Sequence, residues 1–184
     1  GVHYAYYELS ELAQLPNFDN HTPVQNGVTA NFNISERLRN DDFAHRFSSC
    51  IDISNEGVYT FNASSDDGSN VYVNGELIVN NDGLHGMQER SGSVSLSSGR
   101  HSLVVTFFER SGGEGLEVKY EGPAIGLQKI PDSVLYLDGC NSTTPPTATP
   151  TMQPGGTSEE ILENFQDGTG GWWGGGNATC LLTE

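Results

Sequence analysis

Two neighbouring carboxylates, Asp66 and Asp67, are the residues whose type and spacing most suggest chemistry in this sequence of 184 residues. Calcium prefers several oxygen ligands at about 2.4 Å, and paired carboxylates supply both oxygen atoms and negative charge. Successive side chains of a strand point in opposite directions, so these two converge on one ion only if the peptide between them is unusual, for example cis. The residues alone favour a simpler interpretation, a β-turn at 66–68, because Asp and Gly are common turn residues.

The sequence lacks the common catalytic motifs. It contains no nucleophile elbow, no HExxH pair, no phosphate-binding loop and no Rossmann glycine pattern. A glycosidase needs two carboxyl groups roughly 5 to 9 Å apart across the scissile bond, and adjacent residues such as Asp66 and Asp67 are poorly placed for that role. We therefore expect that the chain is not an enzyme.

The formal net charge is −16, from 8 Lys and Arg residues against 24 Asp and Glu residues. Nucleic-acid binding requires clustered Lys and Arg side chains for the phosphate backbone, so no nucleic-acid partner is expected. No stretch reaches the roughly 18 consecutive apolar residues of a membrane-spanning helix, and membrane insertion is not expected either. The acidic surface is compatible with cation binding, but it is also typical of an ordinary solvated surface.

The acidic pair lies at a corner between two predicted strands. Residues 58–61 are β-branched or aromatic and are followed by a Ser-Asp-Gly cluster, which is typical of a strand that ends in a turn. Residues 71–73 form a second apolar run. Asn74-Gly75 is the strongest short signal for a hairpin, and residues 77–79 are the predicted return strand.

Short alternating runs separated by turn residues continue along the chain. They are residues 2–7, 43–48, 93–96, 102–108, 116–120 and 130–137. Helical periodicity is almost absent, and only one helical turn is expected, at residues 10–15 before Pro16. This organisation predicts an all-β fold, an antiparallel β-sandwich or barrel, over residues 1–138.

Two histidines have both structural and functional interpretations. His45 shares a predicted strand face with Phe43 and Phe47, which favours a half-buried structural histidine with satisfied ring nitrogens over a ligand or base. His85 and Asp82 lie in a long loop that contains several glycines. Long loops on a rigid scaffold are frequent binding sites, but the residues alone favour local turn hydrogen bonds for both side chains.

The composition changes after residue 138. Residues 139–157 are rich in Pro, Thr and Gly, which is typical of an extended spacer and predicts neighbouring domains of a longer parent chain. Residues 158–184 are too few for a domain. Their Asn-Phe-Gln-Asp-Gly string resembles the start of several β-sandwich carbohydrate-binding modules, and we expect a partial module that does not fold independently.

The cysteines allow more than one pairing. Cys50 and Cys140 bracket the strand-rich body and could form a disulfide that joins its start to its end. Cys180 would then be left over in the tail. The sequence does not decide between these possibilities.

The acidic pair also belongs to a longer pattern of Gly, aromatic and Asn residues. Its central part is Gly57-x-Tyr59-x-Phe61-x-x-x-Ser65-Asp66-Asp67-Gly68-Ser69-x-x-x-Val73-Asn74-Gly75. The flanking parts, in chain order, are Tyr4-Ala5-Tyr6-Tyr7-Glu8, Phe43-x-x-Arg46-Phe47, Asn80-Asn81-Asp82-Gly83-x-His85, Gly99-x-His101, Phe107-x-Glu109-x-x-Gly112-Gly113-x-Gly115-Leu116 and Ile130-Pro131. Over about residues 1–138 this pattern closely resembles the protective-antigen-fourteen (PA14) domain family.

The resemblance implies a β-sandwich or barrel module of secreted and surface proteins, including adhesins, toxins and glycosidases. In the lectin-like members, two successive aspartates joined by a cis peptide hold calcium, and the ion chelates sugar hydroxyls. Asp66 and Asp67 match those aspartates. The resemblance also implies that backbone carbonyls of the loop Ser111, Gly112 and Gly113 complete the calcium shell, so this loop must fold back over the acidic corner.

The resemblance therefore implies a calcium-dependent carbohydrate-binding module, of the lectin or adhesin type, in a larger secreted or cell-surface protein. Its partners would be glycans. Besides Asp66 and Asp67, the expected sugar-binding residues at the mouth of the site are Asp82, His85, Arg110 and Glu114. The alternative is a structural spacer module that positions an adjacent catalytic or adhesive domain.

Overall fold

A computed structural model describes residues 1–140, so the predicted tail at 158–184 and most of the predicted linker at 139–157 lie outside the described residues. The strands are Val2–Glu8 (β1), Gln25–Thr29 (β2), Phe43–Ile53 (β3), Gly57–Asp66 (β4), Ser69–Val73 (β5), Glu76–Asn81 (β6), Gln88–Leu96 (β7), Gly99–Glu109 (β8), Gly115–Gly122 (β9), Ile125–Lys129 (β10) and Leu135–Tyr136 (β11). Two 3-10 helices, Phe18–Asn20 and Asp132–Val134, are the helical segments of this part of the chain. Neither has the length or the apolar composition that a membrane span needs.

The strands form two antiparallel sheets. The larger sheet has the order β2-β1-β3-β8-β5-β6, with β11 also pairing with β3, and the smaller has the order β10-β9-β4-β7. The long central strands of the larger sheet, β3 and β8, pair without interruption from Phe43↔Glu109 to Ile53↔Gly99. The predicted antiparallel β-sandwich is confirmed, whereas the predicted domain boundaries at residues 138 and 157 stay predictions.

The core lies between the two sheets and follows from the alternation of each strand. On β8, the side chains of Leu103, Val105 and Phe107 are completely buried. On β4 in the other sheet, Tyr59 and Phe61 are completely buried as well. A period of two places every second side chain on the inner face, so the alternation seen in the sequence is sufficient to specify which face packs inward.

The hairpin predicted at Asn74-Gly75 is present, and it joins β5 to β6. Asn74 has φ +51° and Gly75 has φ +83°. Positive φ at both central residues is the requirement of a type I′ turn, which Asn-Gly satisfies at little cost.

Two local predictions were wrong. Residues 10–15 form no helical turn, because Glu11 has φ +58°, which lies outside the right-handed helical region. The strand predicted at residues 130–137 is mostly a 3-10 helix that follows Pro131, with only Leu135–Tyr136 remaining extended. Proline has no N–H group for a sheet ladder. The prediction also missed β10, which pairs with β9 in the smaller sheet, whereas β11 pairs with β3 in the larger sheet.

The acidic corner is the point where the chain passes from the smaller sheet to the larger one. β4 ends at Asp66 in the smaller sheet, and β5 begins at Ser69 in the larger sheet. A Cβ atom on Gly68 would lie 2.5 Å from Cε1 of Phe108, so only glycine fits there. The Phe108 N–H donates to the Gly68 carbonyl at 2.9 Å, which fixes the corner against β8.

Cys50 and Cys140 form a disulfide, which decides the pairing that the sequence left open. The bond joins β3 to the chain just after β11 and closes a loop with a sequence separation of 90 residues. A crosslink over so long a loop restricts the unfolded chain strongly.

Replacing both Cys50 and Cys140 with Ala should lower the free energy of unfolding by about 4 kcal/mol, because the unfolded chain regains the entropy of the open loop. Urea denaturation under non-reducing conditions measures the change. Cys180→Ala makes the same chemical change outside the bridge and should leave the midpoint unaltered. A loss below about 1 kcal/mol in the double variant would contradict the expectation.

His45 corrects a second expectation, since it is neither half-buried nor satisfied by hydrogen bonds. Its side chain is 0% exposed, because it lies on the inward face of β3 and stacks on Phe47 at 5.1 Å between ring centroids. Neither ring nitrogen has a hydrogen-bond partner within residues 1–140. Burial, and then the positive charge of Arg37, lowers the pKa of His45 to about 3.

His45 should therefore make the fold acid-sensitive. Between its unfolded pKa of about 6.5 and its folded value of about 3, the unfolded chain binds a proton that the folded chain does not. As the pH is lowered through this window, the free energy of unfolding is expected to decrease. The variant His45→Phe removes the titrating group while keeping an aromatic ring. From about pH 7 to about pH 4, wild type should lose about 3 kcal/mol more than the variant in urea denaturation. Equal losses would contradict the buried neutral imidazole.

Candidate functional site

Three carboxylates converge at the acidic corner. The Asp66–Asp67 peptide is cis, and one carboxylate oxygen from each of Asp66, Asp67 and Glu109 lies within 4.8 Å of the others. Glu109 arrives from the end of β8, the strand that pairs with β5 beside the corner. The site therefore combines the end of β4 with the end of β8, which are more than forty residues apart in the chain.

Glu109 is the site residue that the sequence reasoning missed. Its side chain is 0% exposed, and its Oε2 accepts a hydrogen bond from the Asp67 N–H at 2.9 Å. Its other oxygen, Oε1, has no hydrogen-bond partner among residues 1–140. The available signal was a carboxylate directly after the most apolar strand of the sequence, in the same motif as the Ser111–Gly113 loop.

The pKa values of Asp66 and Glu109 lie above their ordinary range. Burial, and then the negative charge of Asp67, raises the pKa of Glu109 to about 7. Burial and the same charge also raise the pKa of Asp66. None of the ion pairs within residues 1–140 involves Asp66, Asp67 or Glu109, and the nearby His85 only partly offsets the rise in the pKa of Asp66.

Backbone amides fix the Asp67 carboxylate in one orientation. Its Oδ1 accepts a hydrogen bond from the His85 N–H at 3.0 Å, and its Oδ2 accepts one from the Arg110 N–H at 3.1 Å. These bonds also tie the loop after β6 and the loop after β8 to the corner. The side chain of Asp67, which is 6% exposed, therefore links the two loops through its two carboxylate oxygens.

A buried polar network supports the corner from below. The hydroxyls of Ser65 and Ser69 lie 2.8 Å apart, one on each side of the corner. Asn81 donates to Ser65 Oγ at 2.9 Å and accepts from the Gln88 side chain at 2.8 Å. Since every one of these groups has a partner, the network holds β4, β5 and β6 in register without an unsatisfied polar atom.

The Ser111–Gly113 loop lies next to the acidic corner, as the resemblance implied. A Cβ atom built on Gly113 would be 3.3 Å from Oδ2 of Asp66, so the backbone of the loop approaches that carboxylate closely. Ser111, Gly112 and Gly113 are all exposed. Their role as carbonyl ligands of an ion stays a prediction.

The predicted sugar-binding side chains differ in how free they are. Asp82 Oδ1 accepts the N–H groups of Leu15 and Gly83, both at 2.8 Å. The ring nitrogens of His85 lie 2.9 Å and 3.0 Å from the carbonyl oxygens of Gly86 and Asn81.

Two of the four predicted contacts come from the loop after β8. Glu114 forms an ion pair with Arg37. Arg110 is exposed and forms no ion pair within residues 1–140, so it is the predicted contact that stands most open to a ligand.

Two exposed apolar residues, which were not predicted from the sequence, lie in the loop after β6 that reaches the acidic corner. Leu84 is 45% exposed and Met87 is 61% exposed. The backbone N–H of Met87 lies close enough to the Asp66 carboxylate to lower its pKa, which places this residue at the edge of the acidic corner. No local sequence pattern distinguishes these two residues from ordinary loop residues.

Comparison with known proteins gives one family. A model of the PA14 domain matches residues 1–133, and no curated protein sequence matches significantly. The PA14 domain of the antifreeze protein MpAFP has the same fold, with 15% identity, a TM-score of 0.64 and coverage of 80% of this chain and 94% of that chain. The PA14 sugar-binding domain of an RTX adhesin has 14% identity, a TM-score of 0.62 and coverage of 75% and 98%.

A third similar structure is the A domain of epithelial adhesin 9 (Epa9A) from Candida glabrata in complex with Galβ1-4GlcNAc. It has 14% identity, a TM-score of 0.58 and coverage of 75% of this chain and 90% of that chain. The chain spans about half, 48%, of the length of two anti-sigma factor domain-containing proteins, one of them from Clostridium clariflavum. These similarities establish the shared fold, and because the family match covers residues 1–133 of 184, the chain belongs to the PA14 domain family.

Proposed function

We propose that this domain binds glycans through a calcium ion held at the acidic corner by Asp66 and Asp67. The observation that carries the proposal is the convergence of three carboxylates within 4.8 Å, none of which forms an ion pair within residues 1–140. Two proteins with the same fold are described as sugar-binding or as a complex with a disaccharide. Both observations support a sugar-binding role for this chain.

The chemistry of the donors fits calcium. Every available donor at the corner is an oxygen atom, from carboxylates and from backbone carbonyls, which suits a hard cation and not a soft one. Glu109 strengthens the fit, because its Oε1 is buried and has no partner among the described residues. A cation at this position would satisfy that oxygen and relieve the repulsion that raises the pKa of Glu109.

Each residue of the corner has a distinct task in this proposal. Asp67 is held by two backbone N–H groups, so its carboxylate needs no reorganisation when a ligand arrives. Asp66 faces Gly113, and the carbonyls of the Ser111–Gly113 loop complete the shell. Bound calcium supplies open coordination positions for two vicinal sugar hydroxyls.

The rim of the site supplies complementary contacts to a sugar ring. The exposed side chains of Leu84 and Met87 can cover its apolar C–H face, and Arg110 can donate hydrogen bonds to its hydroxyls. A few polar groups on a partly apolar surface are the usual composition of a small-molecule site. Such a module fits a secreted or cell-surface protein, and it requires no catalysis by this chain.

Calcium binding should raise the melting temperature. An ion that binds only the folded chain stabilises it by about 2.7 kcal/mol at a free concentration about 100-fold above its Kd, which corresponds to a shift of several degrees. Thermal denaturation in millimolar calcium and in chelator measures the shift. No shift for wild type would sink the proposal.

Asp66→Asn is the informative variant for this experiment. It removes a ligand charge at a side chain that accepts no hydrogen bond of its own within residues 1–140, whereas a change at Asp67 would disturb the bonds from the His85 and Arg110 N–H groups. We expect this variant to melt in chelator at or above the wild-type temperature, because repulsion is relieved, and to lose the calcium response. The control is Asp52→Asn, which makes the same chemical change at the end of β3 that lies away from Glu109. This variant should retain the full calcium response.

Glycan binding should depend on the same ion. On a glycan array in calcium buffer, we expect binding to neutral sugars with vicinal hydroxyls, and a loss of at least about tenfold in affinity for Asp66→Asn, which is about 1.4 kcal/mol. Sugars with carboxylate or sulfate groups should bind more weakly, because Asp41 and Asp82 add negative charge on the two loops that border the corner.

The controls separate the alternatives. Asp52→Asn should bind glycans like wild type. Binding that survives chelator would contradict the calcium mechanism, and release of a hydrolysed sugar would contradict a purely binding role. Calcium binding without any glycan signal would favour the alternative, a structural spacer module that positions a neighbouring domain.

A further inference from the structure

The loop Arg110–Glu114, which we term the site loop, lies beside the segment Arg37–Asp42, which we term the bracing segment. Three contacts join them. The Asp42 N–H donates to the Arg110 carbonyl at 3.0 Å, and the Gly112 N–H donates to Asp41 Oδ1 at 3.2 Å.

The third contact is an ion pair between Arg37 and Glu114, whose side chains are 26% and 20% exposed. The contacts thus fall on every second residue of the site loop, and their partners run in the reverse order along the bracing segment. This pattern restrains the site loop along its whole length and not only at its ends.

The bracing segment is itself fixed to the body of the domain. The Asp42 carbonyl accepts the Leu9 N–H at 3.1 Å, and Asp42 Oδ1 accepts the Glu11 N–H at 3.0 Å. Arg39 donates to the Asp42 carbonyl and pairs with Glu8 at 3.5 Å. The bracing segment is therefore held at the end of β1 by hydrogen bonds and an ion pair, and the site loop packs against it.

The site loop needs this support because its glycine-rich backbone can adopt many conformations. Gly112 has φ +115°, and nothing lies within 4 Å of the position that its Cβ would occupy. Glycine-rich backbone loses much conformational entropy when it is ordered. A loop that is already held in place when the ligand arrives avoids that cost at binding.

We propose that Asp41 is a positioning residue for the calcium site, acting through its hydrogen bond to Gly112. This inference rests on the function proposed above. Asp41 contacts neither Asp66 nor Asp67 through any hydrogen bond or ion pair of the described residues. It holds the middle of the loop whose flanking residues, Ser111 and Gly113, carry candidate carbonyl ligands. Glu114 takes part in the same device through Arg37, which gives it a positioning role in place of the predicted sugar contact.

Two substitutions at Asp41 separate positioning from simple attraction of the cation. Asp41→Ala removes both the hydrogen bond and the charge, whereas Asp41→Asn removes the charge and keeps an acceptor for the Gly112 N–H. Asp52→Ala is the matched control, since it removes one carboxylate at the opposite end of β3. Calorimetric titration with calcium alone gives the Kd of each protein, and melting in chelator reports on the fold.

We expect Asp41→Ala to raise the Kd for calcium about tenfold, and Asp41→Asn to stay within about twofold of wild type, with equal melting temperatures in chelator. An unchanged Kd in Asp41→Ala would overturn the inference, as would equal weakening in both variants, which indicates a charge effect. Weakening by Asp52→Ala to the same extent would overturn it too. The wild-type titration distinguishes the two levels, because absence of calcium binding there rejects the proposed function itself.

Discussion

The repulsion between three buried or half-buried carboxylates is the interaction on which the rest of the site depends. At a separation of 4.8 Å and an effective dielectric constant of about 20, two full charges repel by roughly 3 kcal/mol. The protein opposes this repulsion with backbone dipoles, since N–H groups of Asp67, His85 and Arg110 all point at the cluster. These amides hold the carboxylates in place but add no net positive charge, so the corner stays strongly attractive to a cation.

The fold makes this arrangement possible because it brings together the ends of two strands that are distant in the sequence. β4 and β8 belong to different sheets, and the corner at residues 66–68 is where the chain crosses between them. Asp66 therefore lies at the end of an interior strand of one sheet, while Glu109 lies at the end of an interior strand of the other. The loops that complete the site come from four separate places in the sequence, and each is tied to the corner or to a neighbouring loop by backbone hydrogen bonds.

Local patterns carried the prediction of the fold further than that of the site. The alternation of β8, the Asn74-Gly75 turn and the return strand followed from period-two burial and turn chemistry. The contribution of Glu109 did not, because it depends on β8 pairing with β5 beside the corner, a contact between residues far apart in sequence. The predictions for Glu11 and His45 were wrong for related reasons. The positive φ of Glu11 and the complete burial of His45 are set by the surrounding segments of the chain and not by the residue itself.

The disulfide between Cys50 and Cys140 decides how the domain transmits mechanical force. Tension applied from the C-terminal side at Cys140 passes covalently to Cys50 in β3, so the residues between the two cysteines lie off the load path. Asp66, Asp67, Glu109 and the site loop all lie within that covalently closed region. Of the described residues, only 1–49 can be drawn out by a pull between Gly1 and Cys140, and they include the bracing segment. Tension can therefore remove the support of the site loop, while the chain that carries the acidic corner cannot itself be extended.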